Sequence, residues 1–224
     1  MNFSCASRLV RLGSWMARAA FLLPLCGANV RAEPTVWRMD EPAHVAGTTS
    51  VVLGNPRVTS GGLEFDGAHD GIFVPVNPLE GWAAFTVEIL FFPDETGGAE
   101  QRFVHLEDSN GSRVMLETRL DGKGHWWLDT FLRDAAASLP LIDPQQTHPT
   151  GAWYWAAVRY DGKTMSHYVN GVKEREGAIA FRPMTKGQTS VGVRQNRVYW
   201  FKGLVREIRF HPEALPPEKL RHTP

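Results

Sequence analysis

The 224-residue chain balances 24 basic against 24 acidic side chains, so no charge excess marks a nucleic acid or an anionic membrane as its partner. Its two cysteines, Cys5 and Cys26, both fall within the first 32 residues, which leaves no disulfide or thiol chemistry to anything downstream. In chain order the first feature is a stretch with Arg8, Arg11 and Arg18 and no acidic residue, followed by an apolar run from Ala19 to Val30. Val30-Arg31-Ala32 then places small residues at the −3 and −1 positions before Glu33. This is the three-part layout of a secretory signal peptide. The apolar run has 12 residues, short of the roughly 20 that a spanning helix needs. Leu25 is bulky where a lipoprotein signal favours a small residue, which argues against a lipid anchor on Cys26. The expected product is a secreted or periplasmic domain over 33–224, without membrane insertion. With Arg31 also gone, 20 basic residues face 24 acidic ones, a net charge of −4.

Short alternating segments follow, separated by Gly, Pro, Asn and Asp. The pattern predicts strands at Thr35–Met39, Leu63–Phe65, Ile72–Val76, Phe85–Phe92, Arg102–Glu107 and Arg113–Leu120. Further strands are predicted at His125–Leu132, Trp153–Tyr160, Met165–Val169, Thr189–Val193 and Leu204–Phe210. The only helical candidate is the short tail Pro216–Leu220, and Asp134–Gly151 reads as one long irregular loop. Regularly spaced strands with turn signals predict an all-β, two-sheet antiparallel sandwich.

Four segments then resemble a known family. "GAWYWAAVRYDGKTMSHYVNG" (151–171) is similar to the Trp-x-x-x-Ala-Val-x-Tyr-Asp-Gly … Tyr-Val-Asn-Gly signature of laminin-G-like jelly rolls. These domains belong with the concanavalin A-like lectins and glucanases. "LEFDGAHDGIFVP" (63–75), "FTVEILFFP" (85–93) and "FKGLVREIRFHPEALPPEKL" (201–220) resemble the early, central and closing segments of such domains. The resemblance implies a jelly roll over nearly all of 33–224. For function it implies a choice among lectin, adhesion module, hydrolase and lyase, because the fold hosts all of them. Asp161-Gly162 and Asn170-Gly171 sit where hairpins need a positive φ, and Trp153 is expected to anchor the core. Where the family's closing strand carries Gly-x-Ile-Asp-Glu, this chain has Arg206 in the Asp position. A calcium site using that carboxylate would be lost, so no metal or other cofactor is expected. Asp66 and Asp70 remain weak oxygen-ligand candidates beside their turn-capping role.

Two adjacent tryptophans, Trp126 and Trp127, must point to opposite faces of their strand. A three-residue loop at Ser109-Asn110-Gly111 pairs Leu106 with Val114, Val104 with Leu116 and Glu107 with Arg113. A three-residue loop at Asp121-Gly122-Lys123 pairs Thr118 with Trp126 and Leu116 with Leu128. The alternative register would bury Trp127 with His125 and Asp129, at roughly 2–7 kcal/mol per unpaired polar group. Trp126 is therefore predicted inside and Trp127 outside. The outward map then sets Phe103 beside Glu117 and Trp127, His105 beside Met115 and Asp129, Glu107 beside Arg113 and Phe131, and Gln101 beside Arg119 and His125. Glu88 is added to the same surface by its parity on Phe85–Phe92.

Aromatic planes among Asp, Glu, His and Arg suit a sugar, whose C–H face stacks on rings while its hydroxyls take polar partners. The candidate ligand-binding residues are Glu88, Phe103, His105, Glu107, Arg113, Glu117, Arg119, His125, Trp127 and Asp129. The expected function is a secreted, non-catalytic binding module with a polysaccharide or glycoconjugate as partner. One alternative is a surface covered by the 134–151 loop or by a protein partner, as in an extracellular adhesion module. Another is a polysaccharide lyase or hydrolase-like enzyme, with His105, His125, Arg113 and Arg119 supplying a base and a group that neutralises a uronate. Gly-x-Ser-x-Gly, His-Glu-x-x-His, a phosphate-cradling glycine loop and the glucanases' Glu-x-Asp-x-x-Glu are all absent from the sequence.

Overall fold

The computed structural model describes Met1 and residues 33–224; the signal peptide expected over 1–32 lies, Met1 apart, outside the described residues. Among the described residues the strands are β1 (Thr35–Arg38), β2 (Val51–Leu53), β3 (Arg57–Thr59), β4 (Gly62–Asp66), β5 (Gly71–Val74), β6 (Phe85–Pro93), β7 (Glu100–Asp108) and β8 (Arg113–Leu120). They continue as β9 (His125–Arg133), β10 (Ser138–Ile142), β11 (His148–Pro149), β12 (Tyr154–Tyr160), β13 (Thr164–Val169), β14 (Val172–Ala178), β15 (Gly187–Val191) and β16 (Lys202–His211). They form two sheets whose assigned pairs are all antiparallel. The first runs β14-β13-β12-β6-β16-β4-β3 with β1 on β16; the second runs β10-β9-β8-β7-β15-β5-β2 with β11 on β9. The chain is thus an all-β sandwich, as the sequence pattern predicts.

The core lies between the sheets. Phe91 of β6 stacks on Phe103 of β7 at 4.4 Å and meets Trp126 of β9 edge-on at 5.1 Å. Trp126 in turn meets Tyr154 of β12 at 5.1 Å. Trp153 is not part of this core. The alternation of β12 turns Tyr154, Ala156 and Val158 inward. Trp153 is left on the far side of the first sheet, partly buried against Phe92 and beneath the Arg206 guanidinium at 4.3 Å.

Two further expectations are corrected. The segment 134–151 is not one irregular loop. It contributes β10 and β11, which pair edge to edge with β9 and extend the second sheet sideways. Pro140 and the absence of clean alternation hid this edge strand in the sequence. The tail forms a single 3-10 turn, Pro217–Lys219, rather than a helix over 216–220.

Asn170 has a left-handed φ of 47°, its Oδ1 accepts the Trp155 N–H at 2.9 Å, and its own N–H donates to Trp155 O. The side chain therefore closes the β13–β14 turn against β12. Asn170→Ala should cost about 1–2 kcal/mol in urea unfolding, from the lost hydrogen bond and the strained φ. Asn170→Gly, which relieves only the φ, should fall between alanine and wild type.

Candidate functional site

The turn after β7 follows the expected register. Val104 pairs with Leu116, Leu106 with Val114 and Glu107 with Arg113, and Gly111 is left-handed at φ 80°. Asp108 Oδ1 accepts the N–H groups of Asn110 and Ser112, which fixes the loop. The next hairpin differs by two residues: Leu120 pairs with Trp126 and Thr118 with Leu128. Asp121 Oδ1 draws in the N–H groups of Lys123 and His125, while Gly122 and Gly124 take positive φ, so the turn is longer than predicted. A slip of two leaves every side chain on its predicted face. Trp126 is fully buried in the core and Trp127 is partly buried on the outer face.

What the slip changes is which outward residues meet. Trp127 opposes Arg119, Asp129 opposes Glu117, and Phe131 opposes Met115. On β7 a bulge between Arg102 and Val104 alters the map again. Phe103 is not on the outer face: the extra residue lets Phe103 and Val104 both turn into the core. Gln101 faces inward with it, its Oε1 accepting the Lys202 N–H at 2.7 Å. Arg102 and Glu100 take the outward places opposite Glu117 and Arg119. The signal for the bulge was two consecutive apolar residues in an otherwise alternating strand.

Glu88 also leaves the candidate surface. β6 belongs to the first sheet, so Glu88 lies on the opposite side of the molecule. There its Oε1 accepts the Arg221 N–H at 2.7 Å and its Oε2 lies 2.9 Å from His211 Nε2, beneath the C-terminal tail.

The centre of the outer face is an ion-pair lattice. Arg119 contacts Glu100, Asp129 (Nη2–Oδ2 2.7 Å, Nε–Oδ2 2.8 Å) and, more distantly, Glu117 at 3.8 Å. Arg102 reaches Glu100 at 2.9 Å and Glu117 Oε2 at 2.9 Å, the latter off the hydrogen-bonding direction. Burial, reinforced by the Asp129 charge, pushes the Glu117 carboxyl up to about 7 despite both arginines. Burial likewise raises Asp129, against the pull of Arg119. The Arg102 hydrogen bond holds Glu100 below the usual carboxylate range. The Arg102 guanidinium also lies 3.9 Å from the centre of the Tyr199 ring. Arg102, Glu100 and Tyr199 were missed by the sequence reading.

Farther along the same face, His105 is 1% exposed. Its Nδ1 accepts the Gln195 N–H at 3.1 Å, which places the proton on Nε2, 3.2 Å from Glu107 Oε2. Burial lowers the His105 pKa, and the His105 ring beside it lowers that of Glu107. Arg113 Nε lies 3.4 Å from Glu107 Oε1. His125 is exposed at the hairpin end, 3.3 Å from Asp121. The four lyase candidates thus fall into two pairs. His105 and Arg113 sit near one end of β8, and Arg119 and His125 near the other, roughly 20 Å away at about 3.3 Å per residue.

The Asp66 and Asp70 carboxylates serve the turn-capping role. Asp66 Oδ1 accepts the N–H groups of Ala68, His69 and Asp70, and Asp70 accepts those of Asn55 and Asp66. Burial would raise the Asp66 pKa, but the backbone donors outweigh it and hold the carboxyl far below the usual range. Arg206 Nε donates to Gly61 O where the family has a carboxylate.

Residues 66–221 match the Laminin_G_3 family model, described as concanavalin A-like lectin/glucanases superfamily. No curated protein matches the chain. Domain 4 of AbnA, a GH43 extracellular arabinanase from Geobacillus stearothermophilus solved in complex with arabinotriose, superposes with a TM-score of 0.62 at 18% identity, over 84% of this chain and 97% of that one. The botulinum neurotoxin serotype D binding domain gives a TM-score of 0.62 at 15% identity, over 83% of this chain and 50% of that one. The binding domain of botulinum neurotoxin DC in complex with SialylT gives 0.60 at 8% identity, over 83% and 49%. The chain therefore spans about half the length of the toxin structures. At these identities the likeness is one of fold.

Proposed function

The chain belongs to the laminin G branch of the concanavalin A-like lectin/glucanase superfamily, and from that premise we propose that it is an exported, non-catalytic module binding carbohydrate through the outer face of its second sheet. The observation that carries this reading is the accessible set Trp127, Arg119, Glu100 and Tyr199 on one face, with Asp129, Glu117 and Arg102 buried beside it. Partly exposed rings flank fixed donors and acceptors, the combination that a sugar ring and its hydroxyls require. The ligands named for AbnA domain 4 and the neurotoxin DC binding domain are glycans or carry a sialyl name, which supports the same class of partner here. Retention on an immobilised glycan array, and its loss in Trp127→Ala, tests the reading. Because recognition runs through side chains rather than a metal, retention should be unchanged in EDTA and in added calcium. A drop in EDTA would reassign the site.

A second reading, hydrolysis, is favoured by one observation: Glu117 and Asp129 stand opposite each other, with the Glu117 carboxyl pushed up to about 7 by burial. Its signature is the release of reducing ends from a polymer, lost in Glu117→Gln. Binding remains the better supported reading, because both carboxylates are buried and held by arginine.

A further inference from the structure

The outer face does not end at the lattice. At one end Trp127 leaves its indole Nε1 without a hydrogen-bond partner, although that atom is shielded from solvent. A donor in this state is costly unless a ligand oxygen completes it. At the other end Tyr199 is 41% exposed and carries a left-handed φ of 58°. That conformation costs a non-glycine residue on the order of 1–2 kcal/mol, and glycine would serve the turn without the penalty. Tyr199 is held there by two contacts, its O accepting the Arg102 N–H at 2.9 Å and its ring lying against the Arg102 guanidinium. A strained, exposed and clamped aromatic ring points to a ligand rather than to packing.

Tyr199 lies beside β7 on its β15 side, and Trp127 lies on β9, two strands away in the other direction. At about 4.8 Å per strand the two rings stand roughly 14 Å apart across the sheet. The space between them is occupied by the lattice, in which Arg102 and Arg119 are already bound by Glu100, Glu117 and Asp129. An anionic ligand would have to displace one of those carboxylates. Hydroxyl groups need only the lone pairs and N–H groups that remain.

We propose that this face takes an extended, neutral oligosaccharide laid across the strands, stacked on Trp127 at one end and Tyr199 at the other, rather than a single terminal sugar. This rests on the carbohydrate reading of the same face. The test is calorimetric titration of the protein with arabino-, xylo- and gluco-oligosaccharides of increasing length, with oligogalacturonides as the acidic comparison. In the series that binds, affinity should rise with length and level off once both rings are reached, by about tenfold for the second ring. Tyr199→Gly removes ring and strain together: it should melt no lower than wild type, yet bring the long-to-short affinity ratio close to one. Tyr199→Phe should keep the ratio. A single sugar binding as tightly as the longest chain, a ratio unchanged in Tyr199→Gly, or binding confined to oligogalacturonides would overturn the proposal while leaving carbohydrate binding standing. If no saccharide of any length bound, the carbohydrate reading would fall with it.

Discussion

Trp127→Ala is expected to abolish glycan retention while lowering stability by only about 1 kcal/mol, a shift of roughly 2–4 °C in melting for a domain of this size. Trp127 is partly buried on the outer face, so its truncation opens no closed cavity in the core. It removes the stacking plane beside Arg119 and Asp129 and the unpartnered indole donor on the outer side of that strand. Trp126→Ala should behave in the opposite way. Trp126 is fully buried against Phe91 and Tyr154, and Trp→Ala in such a core costs about 3–5 kcal/mol. Thermal melts and array retention, measured on both variants, separate a binding ring from a packing ring. If Trp127→Ala melted as early as Trp126→Ala, the ring would be structural and the functional reading would lose its main support.

The second large effect is on pH dependence, where two buried groups oppose each other. Glu117 rises from 4.5 to about 7 in the fold. Between those values the native state holds a proton that the unfolded chain has released. Stability is therefore intact below about 4.5 and falls as pH rises through 7, by on the order of 3 kcal/mol in all. His167 moves the other way. It is fully buried on β13, with Nδ1 2.9 Å from Thr130 Oγ1 of the facing sheet, and Nε2 lies 3.9 Å from Glu174. Burial, with a smaller push from Arg175 against a pull from Asp143, lowers its pKa from 6.5 to about 4. Here the unfolded chain takes up a proton that the native state refuses. Stability is intact above about 6.5 and falls as pH drops towards 4, again by on the order of 3 kcal/mol.

The two slopes oppose each other between about 4.5 and 6.5, so in the wild type each masks part of the other. The variants expose what the wild type hides. Measured by urea unfolding, the stability of Glu117→Gln relative to wild type should rise by about 3 kcal/mol between pH 4.5 and pH 7.5. The relative stability of His167→Gln should rise by a similar amount as pH falls from about 7 to 4. Parallel profiles for wild type and Glu117→Gln would show that the carboxyl is not held protonated.

The sequence was most legible where structure depends on neighbours along the chain. Side-chain parity is a local property of the pleat, so Trp126 inward and Trp127 outward survived a two-residue error in the second hairpin. Turn residues were equally local: Gly111, Asn170 and Gly171 all take the positive φ that their positions suggested. Edge strands were the least legible, because β3 and β14 are largely exposed and show no apolar alternation to read.

The candidate face divides along the same line. The sequence by itself determined the sandwich class, the inward set of β8 and β9, and the outward placing of Arg113, Glu117, Arg119, Trp127 and Asp129. The tertiary structure alone decided which of these meet. The longer Asp121 turn set Glu117 opposite Asp129, the β7 bulge exchanged Phe103 for Arg102, and sheet assignment carried Glu88 to the far side of the molecule. Tyr199 reaches the face through a loop that nothing in its own pattern places there. The pleat acts over two residues and is written into each strand, whereas register, bulges and sheet membership are settled by pairings between distant segments, and the meeting of charges on one surface follows from those pairings.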